Sequence, residues 1–526
     1  MKKSEHEFDK RREMYMVRRR KKIRSGRVMS VFLLCAIMLL GDAGMMTIQA
    51  APSTGRAANL VVIVRYQGDT VGDDDTGYNT PYTSQISGAP TTYWGLLQRR
   101  FNGENDTFAI GSFREYLSRL SGGAHQVESL FPQTVSGERV EYITLDKTLA
   151  EYQGSNEISL VAEVAQKLTE KYPTYDGTLL DRDGDGAIDN LMILASVPKT
   201  GQFTPHTTNA GNSYTFAGKT IGYYNILETC TTTLSSGTFC DSFDIATAAH
   251  EYVHTFGVPD YYRTSGMNGT PVGMWDLMAG SLGRPSLLAT TRENIGWAKI
   301  AQKTATSSTY TLYDMDSAYA NGGKSQAYKF YTPFSSSEYF VVEYRKPGKK
   351  YSADLDQNMS GAGLIVYRVN PAYATDGNLR GNDYIYVFRP DDTGGNASAG
   401  DITKAAAGMP TYISGRQSIG SEDLSKTIVD NAICYSDGRN SGMTISVTAQ
   451  TDDSITFDVT FPDYANMNLW ETVTSQDGTT PLSTMNASAT QLATDGNAIY
   501  VLAQNTNSST VLRYDGANWT NLGKPI

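Results

Sequence analysis

The most informative stretch of this sequence is residues 248–260, which read Ala248-Ala249-His250-Glu251-Tyr252-Val253-His254-Thr255-Phe256-Gly257-Val258-Pro259-Asp260. On a helix, residues four apart share one face, so the imidazoles of His250 and His254 can meet a single cation with Glu251 beside them. The chain has 5 histidines among 526 residues, so this spacing around a glutamate is hard to attribute to chance. The pattern predicts a zinc site on a helix.

The flanking residues predict where that helix begins and ends. Asp241 or Ser242 can cap its start, and Gly257 can supply a left-handed exit. One side of the helix is expected to be buried, the side formed by Ile245, Ala249, Val253 and Phe256.

A catalytic zinc ion needs a third protein ligand and one position left open for water and substrate. Gly257 lets the chain turn back under the metal, which brings Asp260 into reach and makes it the favoured third ligand. This choice completes the pattern His-Glu-x-x-His-x-x-Gly-x-x-Asp. The alternative is a carboxylate from a later helix, and Glu293 is the best such residue.

These residue types fit metal-assisted hydrolysis of peptide bonds. A zinc ion lowers the pKa of bound water toward ~7 and polarises a carbonyl group. Glu251 is the candidate general base, which takes a proton from the water and passes it to the leaving amine. The sequence does not identify the group that stabilises the oxyanion, since tyrosines beside a turn, such as Tyr261 and Tyr262, are more often packing residues.

A turn-like segment, Gly273-Met274-Trp275-Asp276-Leu277-Met278, follows the motif. In the metzincin class of zinc peptidases a methionine lies beneath the metal, and Met278 is the candidate for that position. The equal alternative is an ordinary methionine of the hydrophobic core.

Acidic residues alternate along residues 181–189, Asp181-Arg182-Asp183-Gly184-Asp185-Gly186-Ala187-Ile188-Asp189. In a calcium loop, positions one, three, five and nine supply carboxylates and position seven supplies a backbone carbonyl. Here those positions hold, in the same order, Asp181, Asp183, Asp185, Asp189 and Ala187. An EF-hand has glutamate at position twelve, where this chain has Met192. We therefore expect a structural calcium ion with a further ligand from elsewhere, and the alternative is an acidic surface turn.

The first part of the mature chain alternates strands and helices. A β-branched run at 59–66 predicts a buried strand, 191–197 a second, and 220–227 an edge strand. Residues 155–172 predict a helix whose buried face comprises Ile158, Val161, Val164, Ala165 and Leu168. Residues 51–300 are thus expected to form an α/β (α+β), zincin-like catalytic domain around a mixed sheet.

Short strands separated by Gly, Asp, Asn and Ser fill residues 301–463, which predicts an all-β accessory domain of sandwich type. In residues 464–526, Trp470 and Trp519 each lie near an Asp-Gly pair. Their separation is close to the ~50-residue period of propeller repeats. This last segment is either a partial propeller-like repeat or a tail.

Residues 1–50 predict a secretory signal peptide. Lys and Arg crowd its start, residues 28–40 are mostly apolar, and small residues lead to Ala50. The apolar run is shorter than the ~20 residues that span a bilayer, so no stable membrane insertion is expected after cleavage near Ala50 or Ala51. The chain is expected to be secreted.

Charge and cysteines agree with an extracellular protein. The net charge is -10 and becomes more acidic without the basic signal, which argues against a nucleic-acid partner. Cys230 and Cys240 enclose a short polar loop and are expected to form a local disulfide, which leaves Cys434 over. The alternative is three unpaired buried thiols.

Several segments together resemble the immune inhibitor A family of secreted bacterial metallopeptidases. They are the run from His250 to Tyr262, Met274-Trp275-Asp276-Leu277-Met278, Ile295-Gly296-Trp297 and Gly363-Leu364-Ile365-Val366-Tyr367. The resemblance extends over about residues 59–462. It implies a metzincin-type catalytic domain with zinc and calcium and a β-rich C-terminal part, with zinc on His250 and His254 and the catalytic role on Glu251.

The leading hypothesis is a zinc metalloendopeptidase that acts on extracellular proteins or peptides. Two other classes stay open, a non-catalytic extracellular binding protein and a zinc hydrolase directed at glycosylated surfaces. The remaining mature histidines, His125 and His206, are given no role, because isolated histidines are more often packed or solvated.

Overall fold

The computed structural model divides the chain into two compact units, residues 1–48 and 49–526. The predicted signal peptide, residues 1–50, lies outside the described residues. These are 51–68, 93–103, 111–132, 142–152, 157–195, 205–228, 232–234, 237–239, 245–264, 267–320, 324–347, 355–356, 358–394, 400–464, 488–494, 498–504, 509–514 and 519–522.

A seven-stranded mixed sheet forms the centre of residues 51–300. Its strands are β1 (Gly55–Arg65), β2 (His125–Leu130), β3 (Ile143–Thr144), β4 (Ala187–Ile188), β5 (Leu191–Ala195), β6 (His206–Phe216) and β7 (Lys219–Glu228). The order is β2-β1-β5-β7-β4, with β3 beside β1 and β6 beside β7. All pairs are parallel except β6 with β7, so the predicted mixed sheet is observed.

Helices cover both faces of this sheet. They are α1 (Tyr93–Asn102), α2 (Phe113–Leu120), α3 (Glu157–Lys171), α4 (Ile245–His254) and α5 (Ala289–Asn294), and α6 (Met315–Ala320) follows later. Successive residues of a strand point to opposite faces. Val61 and Ile63 of β1 therefore pack in the core beneath α2 and α4, whereas Leu60 and Val62 pack in the core beneath α3.

Two details of the sequence prediction were wrong. Ile158 is 39% exposed, and Leu160 takes the buried position in the first turns of α3. The predicted edge strand at 220–227 is an interior strand, because β6 pairs with its outer side. The edge beside β7 is formed by β6 instead.

A short hairpin, β8 (Thr232–Leu234) and β9 (Gly237–Phe239), lies between the two cysteines expected to pair. Cys230 and Cys240 themselves fall outside the described residues, so their disulfide stays a prediction. Cys434 is a buried free thiol.

Residues 301–463 form two further sheets. The five-stranded sheet contains β10 (Ala301–Lys303), β12 (Ala327–Phe330), β13 (Tyr339–Arg345), β14 (Gly363–Val369) and β15 (Ile385–Val387). The four-stranded sheet contains β11 (Ser308–Tyr313), β16 (Ser418–Gly420), β17 (Thr444–Gln450) and β18 (Ser454–Thr460). Both sheets contribute to one core, which is the arrangement of a sandwich.

The five-stranded sheet is buried on both faces. In β13, Phe340 and Val342 pack in the core shared with the four-stranded sheet, whereas Val341 packs in the core that contains α4. Residues of β14 alternate in the same way, with Leu364 in the first core and Ile365 in the second. The core beneath α4 therefore continues across residue 300 into the β-rich part.

The last described strands are β19 (Ser488–Thr494), β20 (Ile499–Gln504), β21 (Ser509–Tyr514) and β22 (Trp519–Asn521), which pair antiparallel in sequence order. The rings of Tyr514 and Trp519 lie 5.1 Å apart, and Trp470 lies outside the described residues. The partial propeller-like repeat stays a prediction. Within the described ranges, no helix has both the length and the apolar character to cross a membrane.

Candidate metal centre

The predicted metal ligands converge at the C-terminal end of α4. His250 and His254 lie one turn apart on this helix, and Gly257 follows with a φ of 78°, the left-handed conformation expected of it. The Gly257 amide donates to the His254 carbonyl at 2.9 Å, which closes the helix. The chain then turns back and brings Asp260 to both imidazoles.

Three ligand atoms lie together. Nε2 of His250 is 3.2 Å from Nε2 of His254, and Oδ1 of Asp260 is 3.1 Å and 3.3 Å from these two nitrogens. The two rings are nearly perpendicular, at 88°. Two imidazole nitrogens and one carboxylate oxygen are the donor set of a catalytic zinc site with an open fourth position.

The other nitrogen of each ring is held by a backbone carbonyl. Nδ1 of His250 lies 2.8 Å from the Leu277 carbonyl, and Nδ1 of His254 lies 2.7 Å from the Val258 carbonyl. A carbonyl can only accept, so each Nδ1 carries the proton and each Nε2 presents its lone pair to the cluster. This tautomer is the one that binds a metal.

The charge state of Asp260 also suits a cation. Burial raises the pKa of this carboxyl, but the two imidazoles beside it outweigh burial and hold its pKa well below the usual range. Glu293, the alternative third ligand, instead forms an ion pair with Lys329 at 2.9 Å and accepts from the Ile300 amide. The geometry therefore favours Asp260 over Glu293.

Glu251 is only 5% exposed and is held by two residues that the sequence analysis missed. The Thr207 hydroxyl, at the start of β6, lies 3.0 Å from Glu251 Oε2 and 2.6 Å from the Glu251 carbonyl. The Asn225 amide, on β7, donates to the same carbonyl at 3.2 Å and to Thr207 Oγ1 at 3.0 Å. Two of these bonds hold the backbone carbonyl of Glu251, and the Thr207 contact with Oε2 leaves Oε1 without a contact from Thr207.

A row of buried amides continues from this contact across the sheet. Asn190 donates to Asn225 Oδ1 at 2.7 Å and to Asn59 Oδ1 at 2.8 Å, and all three asparagines have 0% exposure. Asn59 lies on β1, Asn225 on β7 and Asn190 directly before β5. No fixed spacing relates such residues, so the sequence carried no signal for this row. These buried hydrogen bonds link β1, the residue before β5 and β7 behind Glu251.

Tyr261 and Tyr262 have different environments. Tyr261 is fully buried, and its hydroxyl lies 3.4 Å from Thr291 Oγ1, so it is the packing residue expected. Tyr262 is 44% exposed, and its ring lies over His250 with centroids 6.3 Å apart and an angle of 23°. Burial and the neighbouring Asp260 carboxylate raise the pKa of the Tyr262 phenol, so the hydroxyl remains a hydrogen-bond donor at neutral pH.

Met278 lies in the turn that holds His250. It is fully buried, and it follows Leu277, whose carbonyl holds His250. The Tyr261 amide donates to the Met278 carbonyl at 2.8 Å, which joins this turn to the Asp260 turn. Asp276, which is also fully buried, accepts from the Met278 and Leu288 amides and so stabilises the turn.

The acidic loop brings three of its predicted ligands together. Side-chain oxygens of Asp181, Asp183 and Asp189 lie within 4.8 Å of one another, whereas Asp185 Oδ1 accepts from the Ala187 amide at 2.8 Å. Burial, with a smaller contribution from Asp183 and Asp181, raises the pKa of Asp189 to about 7. A bound cation would relieve this repulsion.

Lys219 already supplies one positive charge to the loop. Its Nζ lies 2.6 Å from Asp181 Oδ2, and both partners are largely buried. The Asp181 carboxylate also accepts from the amides of Gly184 and Gly186 at 2.7 Å and 3.0 Å. A calcium ion at this loop would therefore share Asp181 with Lys219.

Comparison with known proteins gives a partial match to a metalloprotease. The chain is similar to the pre-pro-metalloprotease PrtV in two strains of Vibrio cholerae serotype O1. The match is 28% identical over 226 residues, 36% of this chain and 23% of the relative. The chain is distantly related to a metalloprotease.

The matched region is less than a quarter of that relative, so it does not single out an immune inhibitor A-like family or transfer the whole relative's activity. No family model matches the chain.

Proposed function

We propose that this protein is a secreted zinc-dependent endopeptidase that cleaves extracellular proteins or peptides. The observation that carries the proposal is the convergence of His250 Nε2, His254 Nε2 and Asp260 Oδ1 beside the buried Glu251. The relationship to a metalloprotease supports the same class of reaction. The basic and apolar residues 1–50 support export.

His250, His254 and Asp260 would hold one zinc ion, which supplies Lewis acidity and a water of lowered pKa when bound. Thr207 holds Glu251 Oε2, so Oε1 is the atom that accepts the proton of the attacking water. Glu251 then returns the proton to the leaving amine nitrogen. The Tyr262 hydroxyl, on the exposed side of His250, is the candidate donor to the oxyanion.

The edge of the mixed sheet offers a binding site for an extended substrate. β6 pairs with β7 on one side and has no second strand partner among the described residues. Its second residue, Thr207, contacts Glu251 directly. A peptide that adds to this open edge through backbone hydrogen bonds would lie beside the proposed general base, which favours an endopeptidase.

We also propose that Met278 forms the floor of a metzincin-type centre and that the acidic loop binds a structural calcium ion. Support for the first is the burial of Met278 in the turn that holds His250. Support for the second is the convergence of Asp181, Asp183 and Asp189.

The test of the proposed function is a cleavage assay on an unfolded protein such as casein. The wild-type chain should cleave it, and Glu251→Ala and a chelator-treated sample should each lose cleavage by ~10²-fold or more. A wild-type chain that binds zinc but cleaves neither casein nor a peptide library would contradict the proposal. Binding without cleavage would favour a binding protein, and cleavage that disappears when glycans are stripped from a substrate would favour a glycan-directed hydrolase.

A further inference from the structure

The segment between β14 and β15, residues 370–384, packs on the turn that carries Asp260. The backbone amide of Asn378 donates to the Asp260 carbonyl at 3.1 Å. The side-chain amide of Asn378 donates to the next carbonyl, that of Tyr261, at 3.1 Å. A single residue from the β-rich part therefore holds two consecutive carbonyls of the ligand turn.

Asn378 is itself fixed to a strand. Its Nδ2 also donates to the Ile385 carbonyl at 2.8 Å, and its Oδ1 accepts from the Ile385 amide at 3.1 Å. The side chain has 0% exposure, so these bonds are not shared with solvent. Because Ile385 begins β15 in the buried five-stranded sheet, the position of Asn378 is set by the sheet.

Gly377 allows residues 370–384 to lie close to the turn that carries Asp260. It has a φ of 60°, and a Cβ added there would lie 2.2 Å from the Asp260 carbonyl oxygen and 3.1 Å from the Pro259 side chain. Any larger residue at position 377 must push the turn that carries Asp260 away from residues 370–384. Asn378 therefore joins the two segments by hydrogen bonds, and their close approach requires glycine at position 377.

A buried ion pair also joins residues 370–384 to the chain that follows Asp260. Arg263 Nη2 lies 2.7 Å and 2.8 Å from the two carboxylate oxygens of Asp383, and these side chains are 1% and 6% exposed. Thr264 adds a hydrogen bond to the Leu379 carbonyl at 3.0 Å. The segment thus contacts the chain from Pro259 to Thr264 along its length.

We propose that Asn378 and Gly377 are positioning residues for the metal centre, which hold the Asp260 carboxylate against the two imidazoles. The inference rests on the metal site of the proposed function. Neither residue touches the ligand atoms, so their effect passes through the backbone of Asp260. In proteins, substitution of such supporting residues typically weakens metal binding ~10- to 100-fold.

The experiment measures zinc affinity by competition with a chromophoric chelator, on the full chain, without reference to proteolysis. Asn378→Ala and Gly377→Ala should each weaken zinc binding by ~10-fold or more. With cobalt(II) in place of zinc, their visible spectra at saturating metal should differ from wild type, because the geometry of the carboxylate ligand has changed.

Two matched controls separate positioning from general stability. Asn440→Ala removes a buried amide that donates to the carbonyls of Ser421 and Asp423. Gly420→Ala places a Cβ 2.1 Å from the Met443 carbonyl oxygen, a comparable clash within the β-rich part and away from the Asp260 turn. Both controls should lower the unfolding temperature and leave zinc affinity and the cobalt spectrum unchanged.

Each outcome of the zinc and cobalt measurements supports or overturns a stated claim. Zinc affinity within twofold of wild type in both Asn378→Ala and Gly377→Ala overturns the positioning role, as does equal loss in the matched controls. If Asn378→Ala does not fold, Gly377→Ala against Gly420→Ala still gives the comparison. A wild-type chain that binds no zinc overturns the proposed metal site itself, a result distinct from failure of the positioning role.

Discussion

At the scale of single residues, the arrangement around His250 supports the proposed role of Tyr262, which the sequence did not indicate. A phenol that is 44% exposed, lies over a ligand ring and keeps its proton can donate to charge that develops on a substrate carbonyl. Tyr261, its neighbour, points into the core and lacks this access.

Tyr262→Phe removes only the hydroxyl, which bonds to the Asp260 carboxylate but is not itself a ligand, so zinc affinity should change little. The turnover number should fall by ~10²-fold with little change in KM, since loss of one oxyanion donor acts on the transition state. Steady-state kinetics on a peptide substrate check this. Unchanged turnover would show that Tyr262 is a packing residue, as the sequence alone indicated.

The residues that the sequence could predict are those with a fixed spacing. His250, Glu251 and His254 share one helix, and Asp260 follows after a glycine, so the pattern is local. Thr207, Asn225 and Asn378 reach the same site from β6, β7 and the β14–β15 connection. Contacts between distant segments depend on tertiary packing and leave no spacing in one sequence.

At the scale of elements, α4 lies over a buried histidine. His125 has 0% exposure, its ring stacks on Trp297 at 5.6 Å, and its Nε2 lies 3.2 Å from the Tyr252 hydroxyl. Burial lowers the pKa of His125 to about 4. His125, which was given no role from the sequence, is therefore a neutral packing residue beneath α4.

This burial predicts a specific pH dependence of stability. Between pH 6.5 and 4 the unfolded chain binds a proton at His125 that the folded chain does not, so the free energy of unfolding falls as the pH falls through this range. The contribution is on the order of 2–3 kcal/mol. His125→Gln should lose less stability than wild type between pH 7 and 4.5 in metal-free urea titrations. Parallel pH profiles for the two proteins would rule out this contribution.

The acidic loop gives a prediction for calcium. If Asp181, Asp183 and Asp189 bind the ion, calcium at about 100 times its Kd should raise the free energy of unfolding by ~2.7 kcal/mol. Asp183→Asn should abolish the increase, whereas Asp185→Asn, outside the converging group, should reduce it less. Thermal unfolding with and without calcium measures this. An equal calcium effect in wild type and Asp183→Asn would contradict the site.

At the scale of the whole molecule, the α/β part and the β-rich part share a hydrophobic core and buried ion pairs such as Arg292–Glu343. Arg345 of β13 is 1% exposed, donates to the Trp275 carbonyl at 2.8 Å and pairs with Asp356. Glu343 of the same strand accepts from the Ala289 amide at 2.8 Å. The sequence predicted short strands within residues 301–463, but one sequence could not show which layers would cover the two faces of β13 and β14.

Because of this shared core, residues 51–463 should unfold in one transition. Arg345→Met leaves Asp356 buried without its partner and should lower the free energy of unfolding by about 3–5 kcal/mol. Calorimetry should show the whole transition moving to lower temperature. A second transition that stays in place would show that the two parts are independently stable.

The central claim is that one zinc ion at His250, His254 and Asp260 acts together with Glu251, and a reconstitution titration tests it most directly. Zinc is removed from the wild-type chain and from Glu251→Gln, then added back while bound zinc and peptide cleavage are both measured. We predict that wild-type cleavage returns in proportion to zinc and saturates at about one ion per chain, while Glu251→Gln binds the same zinc without recovering cleavage. Full cleavage by the zinc-free chain, or recovery by Glu251→Gln equal to wild type, would contradict the account.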